Sequence, residues 1–295
     1  MPVDRSTAAQ FTEPCSSHGE GPLWDPKRDR LLFVDMLAGD IVAVDGSGRH
    51  SSTHVADVAA CLRARRSGGF VLATERGFRT LDDHLAPTGS LLTAFTDTTV
   101  RMNDGGCDPQ GRFYCGSMAY DETLGAGALY RLDPGALEVG DPVPAVLTGL
   151  TISNGLQWSA DGQSAFYNDT PTRQITVFDF DAAAGSLINP RPFVTLPDDQ
   201  PGAPDGMAID TEDGIWIALW GGSAVHRYSP DGRLDAVIEL PVSNVTACTF
   251  GGDDLETLFI TTSRQGLADG DQPQAGAVFS CRPGVTGTTP HPFLG

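Results

Sequence analysis

The sequence predicts an all-β fold, a six-bladed β-propeller with four-stranded antiparallel blades. One phrase recurs six times, with starts about 40 to 50 residues apart, the period of such blades. Inside the copies, two short β-rich runs flank a Gly/Asp turn, which is the pattern of a hairpin. No helical period holds over a useful length.

The copies read in order as follows. EGPLWDPKRDRLLFVD starts at Glu20, and a degenerate CLRARRSGGFVLAT starts at Cys61. NDGGCDPQGRFYCGSM starts at Asn103 and NGLQWSADGQSAFYND at Asn154. DGMAIDTEDGIWIAL starts at Asp205 and TACTFGGDDLETLFIT at Thr246. A third strand follows in GDIVAVD, GALYRLD, RQITVFDFD, SAVHRYSPDG and GAVFSC. A two-sheet sandwich has no need of so regular a period. The units fill residues 1–295 as one propeller domain without a boundary. The segment 11–15 is expected to supply the strand that closes the ring, and the loop 266–276 to be a long connection inside blade six.

Composition narrows the functional classes. An apolar share of 40% is ample for a core, and 35 Gly with 21 Pro supply turns. No run nears the roughly 18 consecutive apolar residues of a membrane helix. The opening MPVDRSTAAQ lacks the apolar stretch of a secretory signal, so a cytoplasmic location is expected. Cys15, Cys61, Cys107, Cys115, Cys248 and Cys281 form no C-x-x-C pair and are expected as buried thiols. A net charge of −19 with no basic stripe disfavours nucleic acid and anionic membrane surfaces. Lys27, the sole lysine, lies in a turn-like DPKRD stretch, against Schiff-base chemistry. No G-x-S-x-G, H-E-x-x-H, P-loop or EF-hand pattern occurs.

Alignment of the copies on the turn makes one position informative. Glu20, Asn103, Asn154 and Asp205 each precede Asp25, Asp108, Ser159 and Asp210 by the same interval, and Thr246 takes the equivalent place. In a propeller the first strand of every blade lines the central channel. The repeat therefore brings two carboxylates, two amides and a hydroxyl to one axis. Each alone would be read as a turn cap; the coincidence across blades is the signal. Two bare carboxylates so close would repel until one took a proton, and a divalent cation removes the conflict. Oxygen ligands suit Ca²⁺, Mg²⁺ or Mn²⁺, while Zn²⁺ and Fe²⁺ stay open.

Arg101 lies two positions before Asn103, on the same strand face, where a guanidinium meets substrate hydroxyls or a developing oxyanion. His18 is a lesser candidate for the channel mouth. Trp24, Trp158, Trp216 and Phe250 read as core between blades. Cys107 has no nearby His to make it a nucleophile.

The segments GEGPLW (19–24), LLFVD (31–35), RMNDGGCDPQGRFYCGSM (101–118), ISNGLQWSADG (152–162), PDGMAID (204–210), GALYRLD (127–133) and QPQAGAVF (272–279) together resemble the senescence-marker-protein, gluconolactonase and regucalcin family of six-bladed propellers. The resemblance implies hydrolysis of a sugar lactone to the aldonic acid, with one divalent metal ion held by Glu20, Asn154 and Asp205. It implies that Asn103 lies just behind the ion and that Arg101 holds substrate hydroxyls. It also implies an acidic contact after the GSM motif; Asp121 in AYDET is the nearest equivalent, one methylene shorter than glutamate.

The two lines join in one mechanism. The ion gives Lewis-acid help at the lactone carbonyl, Asp205 is both ligand and base, and Arg101 with Asn103 orients the ring. A phosphotriesterase or fluorophosphatase would keep fold and metal, but a polar pocket containing Arg101 favours a polyhydroxylated substrate. A non-enzymatic calcium-binding propeller leaves the Arg101/Asn103 pair without a role.

Overall fold

In the computed structural model, which describes residues 3–295, six antiparallel sheets surround a common axis. Blade 1 runs Gly19–Asp25, Arg30–Asp35, Asp40–Asp45 and His50–His54. Blade 2 runs Ala59–Ala64, Phe70–Thr74, Gly77–Leu81 and Pro87–Thr93. Blade 3 runs Val100–Cys107, Phe113–Ala119, Gly127–Leu132 and Ala145–Leu150. Blade 4 runs Ser153–Trp158, Ser164–Asp169, Gln174–Asp181 and Ser186–Thr195. Blade 5 runs Ala203–Ile209, Ile215–Trp220, Ala224–Tyr228 and Leu234–Glu239. Blade 6 contributes Val245–Gly251, Thr257–Thr262 and Phe279–Cys281. Each first strand packs on the first strand of the next blade, and that of blade 6 returns to blade 1.

Among the described residues, helix is confined to Ala136–Val139 and two short 3-10 turns. No helix among them is long and apolar enough to cross a membrane.

The ring is closed by the N-terminal segment, as expected, but one step earlier in the chain. Ala9–Gln10 forms the outer strand of blade 6, antiparallel to Phe279–Cys281. Phe11, Thr12 and Cys15 only extend the contact, through backbone bonds to Val278 and Gly276. Pairing of Asp4–Thr7 in parallel with Leu234–Glu239 gives blade 5 a fifth strand, which the repeat pattern did not signal. One short segment thus staples the seam between the last two blades. The loop 266–276 lies inside blade 6, between its second and third strands.

The core sits between blades. Trp24 stacks on Phe259 at 5.6 Å, Trp216 meets Phe250 edge-on at 5.8 Å, and Trp158 tilts against Tyr114 at 5.4 Å. The turn aspartates hold hairpins together. Buried Asp108 accepts from Arg112 Nε at 2.5 Å and from the Tyr114 hydroxyl at 3.0 Å. Buried Asp210 accepts from Trp216 Nε1 at 2.8 Å and from Arg227 Nε at 2.7 Å. Cys61, Cys107, Cys115 and Cys248 are buried free thiols, while Cys15 and Cys281 are half-buried. Burial pushes the Cys107 thiol well up, away from any nucleophilic role.

One local feature places the site. Every first strand slips register against its second strand at the same point: after Glu20, Ala59, Met102, Asn154, Pro204 and Val245. Such bulges bend a strand and re-aim a side chain. Here they fall on or beside the aligned polar residues. The residue that follows must be small where strands crowd: a Cβ on Gly155 would lie 2.8 Å from the Asp205 carbonyl oxygen, and one on Gly206 2.5 Å from Ala247 Cβ.

The C-terminal residues cross the end of the channel opposite the bulges' mouth-facing side chains. Gly287 N donates to Leu255 O and Thr288 N to Ile209 O, then Phe293 N donates to Ala64 O and Leu294 N to Gly111 O. The tail so links blades 5 and 6 to blades 2 and 3. Phe293 is fully buried in the largest apolar cluster of the ring. Phe293→Ala should therefore lower stability by about 3–5 kcal/mol, the usual cost of emptying a buried Phe site. Denaturant unfolding reads the change directly, and a loss below 1 kcal/mol would mean that the tail is not part of the cooperative core.

Candidate active site

The mouth of the channel is a cavity of about 240 Å³ lined by His18, Glu20, Arg101, Asn103, Asn154 and Asp205, with Met118, Glu122, Ile152, Thr170, Trp220 and Gln265 completing the wall. Blades 1, 3, 4 and 5 each place a bulge residue here. Thr246 does not reach it: its hydroxyl donates to Gly19 O at 2.6 Å and meets Thr261 Oγ1 at 2.9 Å, tying blade 6 to blade 1. Blade 2 offers only Ala59 to Cys61, all apolar and buried.

A chain of hydrogen bonds runs from the wall to the axis. Arg101 Nη1 donates to Asn103 Oδ1 at 2.6 Å, and Asn103 Nδ2 donates to Asn154 Oδ1 at 2.8 Å and Ser153 O at 3.0 Å. Asn154 Nδ2 donates to Thr170 Oγ1 at 2.9 Å, and that hydroxyl donates to Pro204 O at 2.8 Å, beside Asp205. Each amide is thereby fixed in one orientation. Arg101 is anchored further by Met102 O at 3.1 Å, Met36 Sδ at 3.0 Å and the Tyr120 ring 5.9 Å away.

The carboxylates are under stress. Glu20 accepts only the neighbouring Gly21 N–H at 3.0 Å, and Asp205 Oδ1 is buried with no partner. Burial, then the charge of Asp104, pushes Glu20 from 4.5 up to about 8. Burial, then Glu20 and Asp104, push Asp205 well above its ordinary range. Arg101 opposes both shifts only in part. Among the described residues no three His, Cys, Asp or Glu side chains are grouped so that they alone could hold a metal ion. The donor set is two carboxylates and an amide, which suits a hard cation rather than a thiolate or imidazole site.

The positions read from sequence divide clearly. Glu20, Arg101, Asn103, Asn154 and Asp205 come together, and His18 joins them at the mouth. His18 is held at about 3 by burial and by Arg101, and its Nδ1 lies 2.9 Å from Ser263 Oγ. Asp121 does not join them. It is exposed and spends its carboxylate on Thr123, whose N–H and hydroxyl bind it at 3.1 and 2.7 Å. Glu122, with a left-handed φ of 59°, takes the place at the cavity instead. The turn reverses the chain there, so the next residue, a full glutamate, faces in. Met118, Thr170 and Trp220 were missed. All three lie within one residue of the end of a second strand, a level that the equivalence of the first strands does not report.

A propeller with an oxygen-donor mouth of this kind defines a class, and comparison places the chain within it. Residues 18–264 match the profile of the SMP-30/gluconolactonase/LRE-like region, so the chain belongs to that family. Regucalcin from Gallus gallus is 33% identical over 94% of this chain and 95% of its own. YvrE of Bacillus subtilis, provisionally named a sugar lactone lactonase, is 33% identical with the same coverage. Among solved structures, a calcium-binding regucalcin from Agrobacterium tumefaciens superposes with a TM-score of 0.87 at 25% identity, covering 100% of this chain and 99% of that one. A luciferin-regenerating enzyme gives 0.82 at 29% identity, covering 98% of each.

The raised carboxylate has a measurable consequence. A folded pKa above the unfolded value stabilises the fold fully below the unfolded value, here 4.5, and that stability is lost as pH rises through about 8. Chelator-treated protein should therefore lose melting temperature between those limits, Glu20→Gln should flatten the loss, and Ca²⁺ or Mn²⁺ should remove it. A melting temperature independent of pH over this window in chelated wild type would refute the strain.

Proposed function

We propose that the protein hydrolyses a sugar lactone to the corresponding aldonic acid with one divalent cation held by Glu20, Asn154 and Asp205. The observation that carries this reading is the convergence of those three side chains from blades 1, 4 and 5 on one cavity that also holds Arg101 and Asn103. The residues fit a cation. Asp205 Oδ1 is an orphaned buried oxygen, and the two carboxylates balance a double charge. A bound cation supplies Lewis-acid polarisation of the lactone carbonyl. Similarity to a calcium-binding regucalcin favours Ca²⁺ among the candidates, with Mg²⁺, Mn²⁺, Zn²⁺ and Fe²⁺ to be compared.

The chain's own residues perform the remaining steps. Arg101 and Glu122 lie on the wall as donor and acceptor for the ring hydroxyls. Trp220, Met118 and Ile152 offer apolar surface to the C–H face of the ring. Asp205 takes a proton from the attacking water as its oxygen bonds to the carbonyl carbon. As the ring C–O bond breaks, Asp205 returns that proton to the ring oxygen, which leaves as the hydroxyl of the open acid. At about 240 Å³ the cavity is below the roughly 300–1,000 Å³ of pockets for drug-sized ligands, which suits a single small ring.

A second reading, cation binding without turnover, is favoured by the regucalcin relative described as calcium-binding. One experiment separates them. Metal-stripped protein is re-supplied with each of the five ions and assayed with aldonolactones and a phosphotriester by a pH indicator. Ion-dependent lactone opening is expected, and Asp205→Ala should reduce it by at least about a hundredfold. Cation binding by calorimetry with no hydrolysis would leave the binding reading; preference for the phosphotriester would change the substrate class.

A further inference from the structure

The ring position just after each mouth-facing residue is small in most blades. Gly21, Gly155, Gly206 and Ala247 occupy it in blades 1, 4, 5 and 6, and Cys61 in blade 2. Blade 3 alone puts a charge there, Asp104, and the carboxylate is buried. Its two oxygens are both used on backbone: Oδ1 accepts Gly105 N–H at 2.7 Å, and Oδ2 reaches across the blade boundary to Gly155 N–H at 3.0 Å. Beneath it lies Arg63 of blade 2, also buried, with Nη2 4.0 Å from Asp104 Oδ1. Arg63 donates as well to Leu62 O at 2.7 Å and to Gly105 O.

The bulge amides show what this arrangement does. A bulge leaves an N–H without a ladder partner. In blade 1 the mouth-facing residue satisfies that N–H itself, since Glu20 accepts from Gly21 at 3.0 Å. In blade 4 the equivalent N–H belongs to Gly155, and Asp104 takes it instead of Asn154. Asn154 Oδ1 is thus released from its own bulge and accepts Asn103 Nδ2 at 2.8 Å, with a lone pair left for the cavity.

We infer that Asp104, clamped from below by Arg63, is a positioning residue that sets the Asn103–Asn154 pair and turns the Asn154 carbonyl oxygen toward the mouth. The part of this that concerns cation affinity rests on the cation reading above. Asp104 touches no substrate atom in this role. It acts through two backbone amides in blades 3 and 4, and Arg63 balances its charge so that the carboxylate can stay in the channel wall.

Removing Asp104 alone would strand a buried guanidinium, so the pair should be removed together. Arg63→Met with Asp104→Leu replaces a buried ion pair by apolar groups of similar volume, a change often tolerated by the fold. Two measurements are made on this double variant: its crystal structure, and calorimetric titration of metal-stripped protein with Ca²⁺ and with Mn²⁺. The expected result is loss of the Asn103–Asn154 contact and a fall in affinity of about 10- to 100-fold, as for other residues that orient a ligand. A retained contact at its original length overturns the inference, even if affinity falls, since Asp104 would then act only by charge. If the double variant does not fold, Asp104→Asn is read by the same two measurements; it keeps the shape, loses one acceptor and should lower affinity about tenfold. If wild-type protein binds neither ion, the cation reading fails, and the Asn103–Asn154 distance alone decides the positioning role.

Discussion

Six first strands must pass close around one axis, and the rest of the molecule is arranged around that crowding. Their inner faces leave no room for side chains at the closest approach, which is why glycine follows Asn154 and Asp205, while the glycine after Glu20 answers to its left-handed φ of 54°. The same crowding forces a bulge in every first strand at one level. A bulge turns a side chain from the blade interface to the axis, so the packing problem and the site have a common origin. Polar atoms concentrated there cannot all be satisfied by the ladder. Some are satisfied by each other, as in the chain from Arg101 to Pro204, and Asp205 Oδ1 is left over.

Charge is the second consequence of a shared axis. Glu20, Asp104 and Asp205 are contributed by different blades, yet each raises the cost of ionising another. Water would relieve this at the surface, but all three are buried. Arg63 and Arg101 offset the repulsion from two levels, one within the channel wall and one at its mouth. What remains is a pair of buried carboxyl groups at the cavity whose ionisation is held back for want of enough opposing charge.

The repeat made the fold legible, because strand periods and turn residues are local and survive in a single sequence. It also exposed Glu20, Asn103, Asn154 and Asp205, since equivalence between blades supplied the comparison that one sequence otherwise lacks. Thr246 shows the limit of that logic. It occupies the equivalent bulge, but a hydroxyl is short, and Gly19 O and Thr261 lie closer than the axis. Asp121 shows another limit. Which of two adjacent acidic residues faces a cavity depends on one backbone angle, and Glu122 adopts a φ of 59° that no sequence pattern announced. The parallel strand Asp4–Thr7 was equally hidden, because it pairs with an edge more than two hundred residues away and carries no apolar pattern of its own.

Asp104 was in view from the start as part of an Asn-Asp-Gly-Gly run, yet its role could not be read there. It stands where other blades have glycine or another small residue. That departure acquires meaning once Gly155 N–H and Arg63 are seen on either side of it. A carboxylate in a crowded wall is costly unless it is balanced and hydrogen-bonded. Here it is both, by groups from the blades before and after its own. A side chain held at such cost, with every oxygen committed to backbone and none to the cavity, serves the geometry of its neighbours rather than the reaction itself.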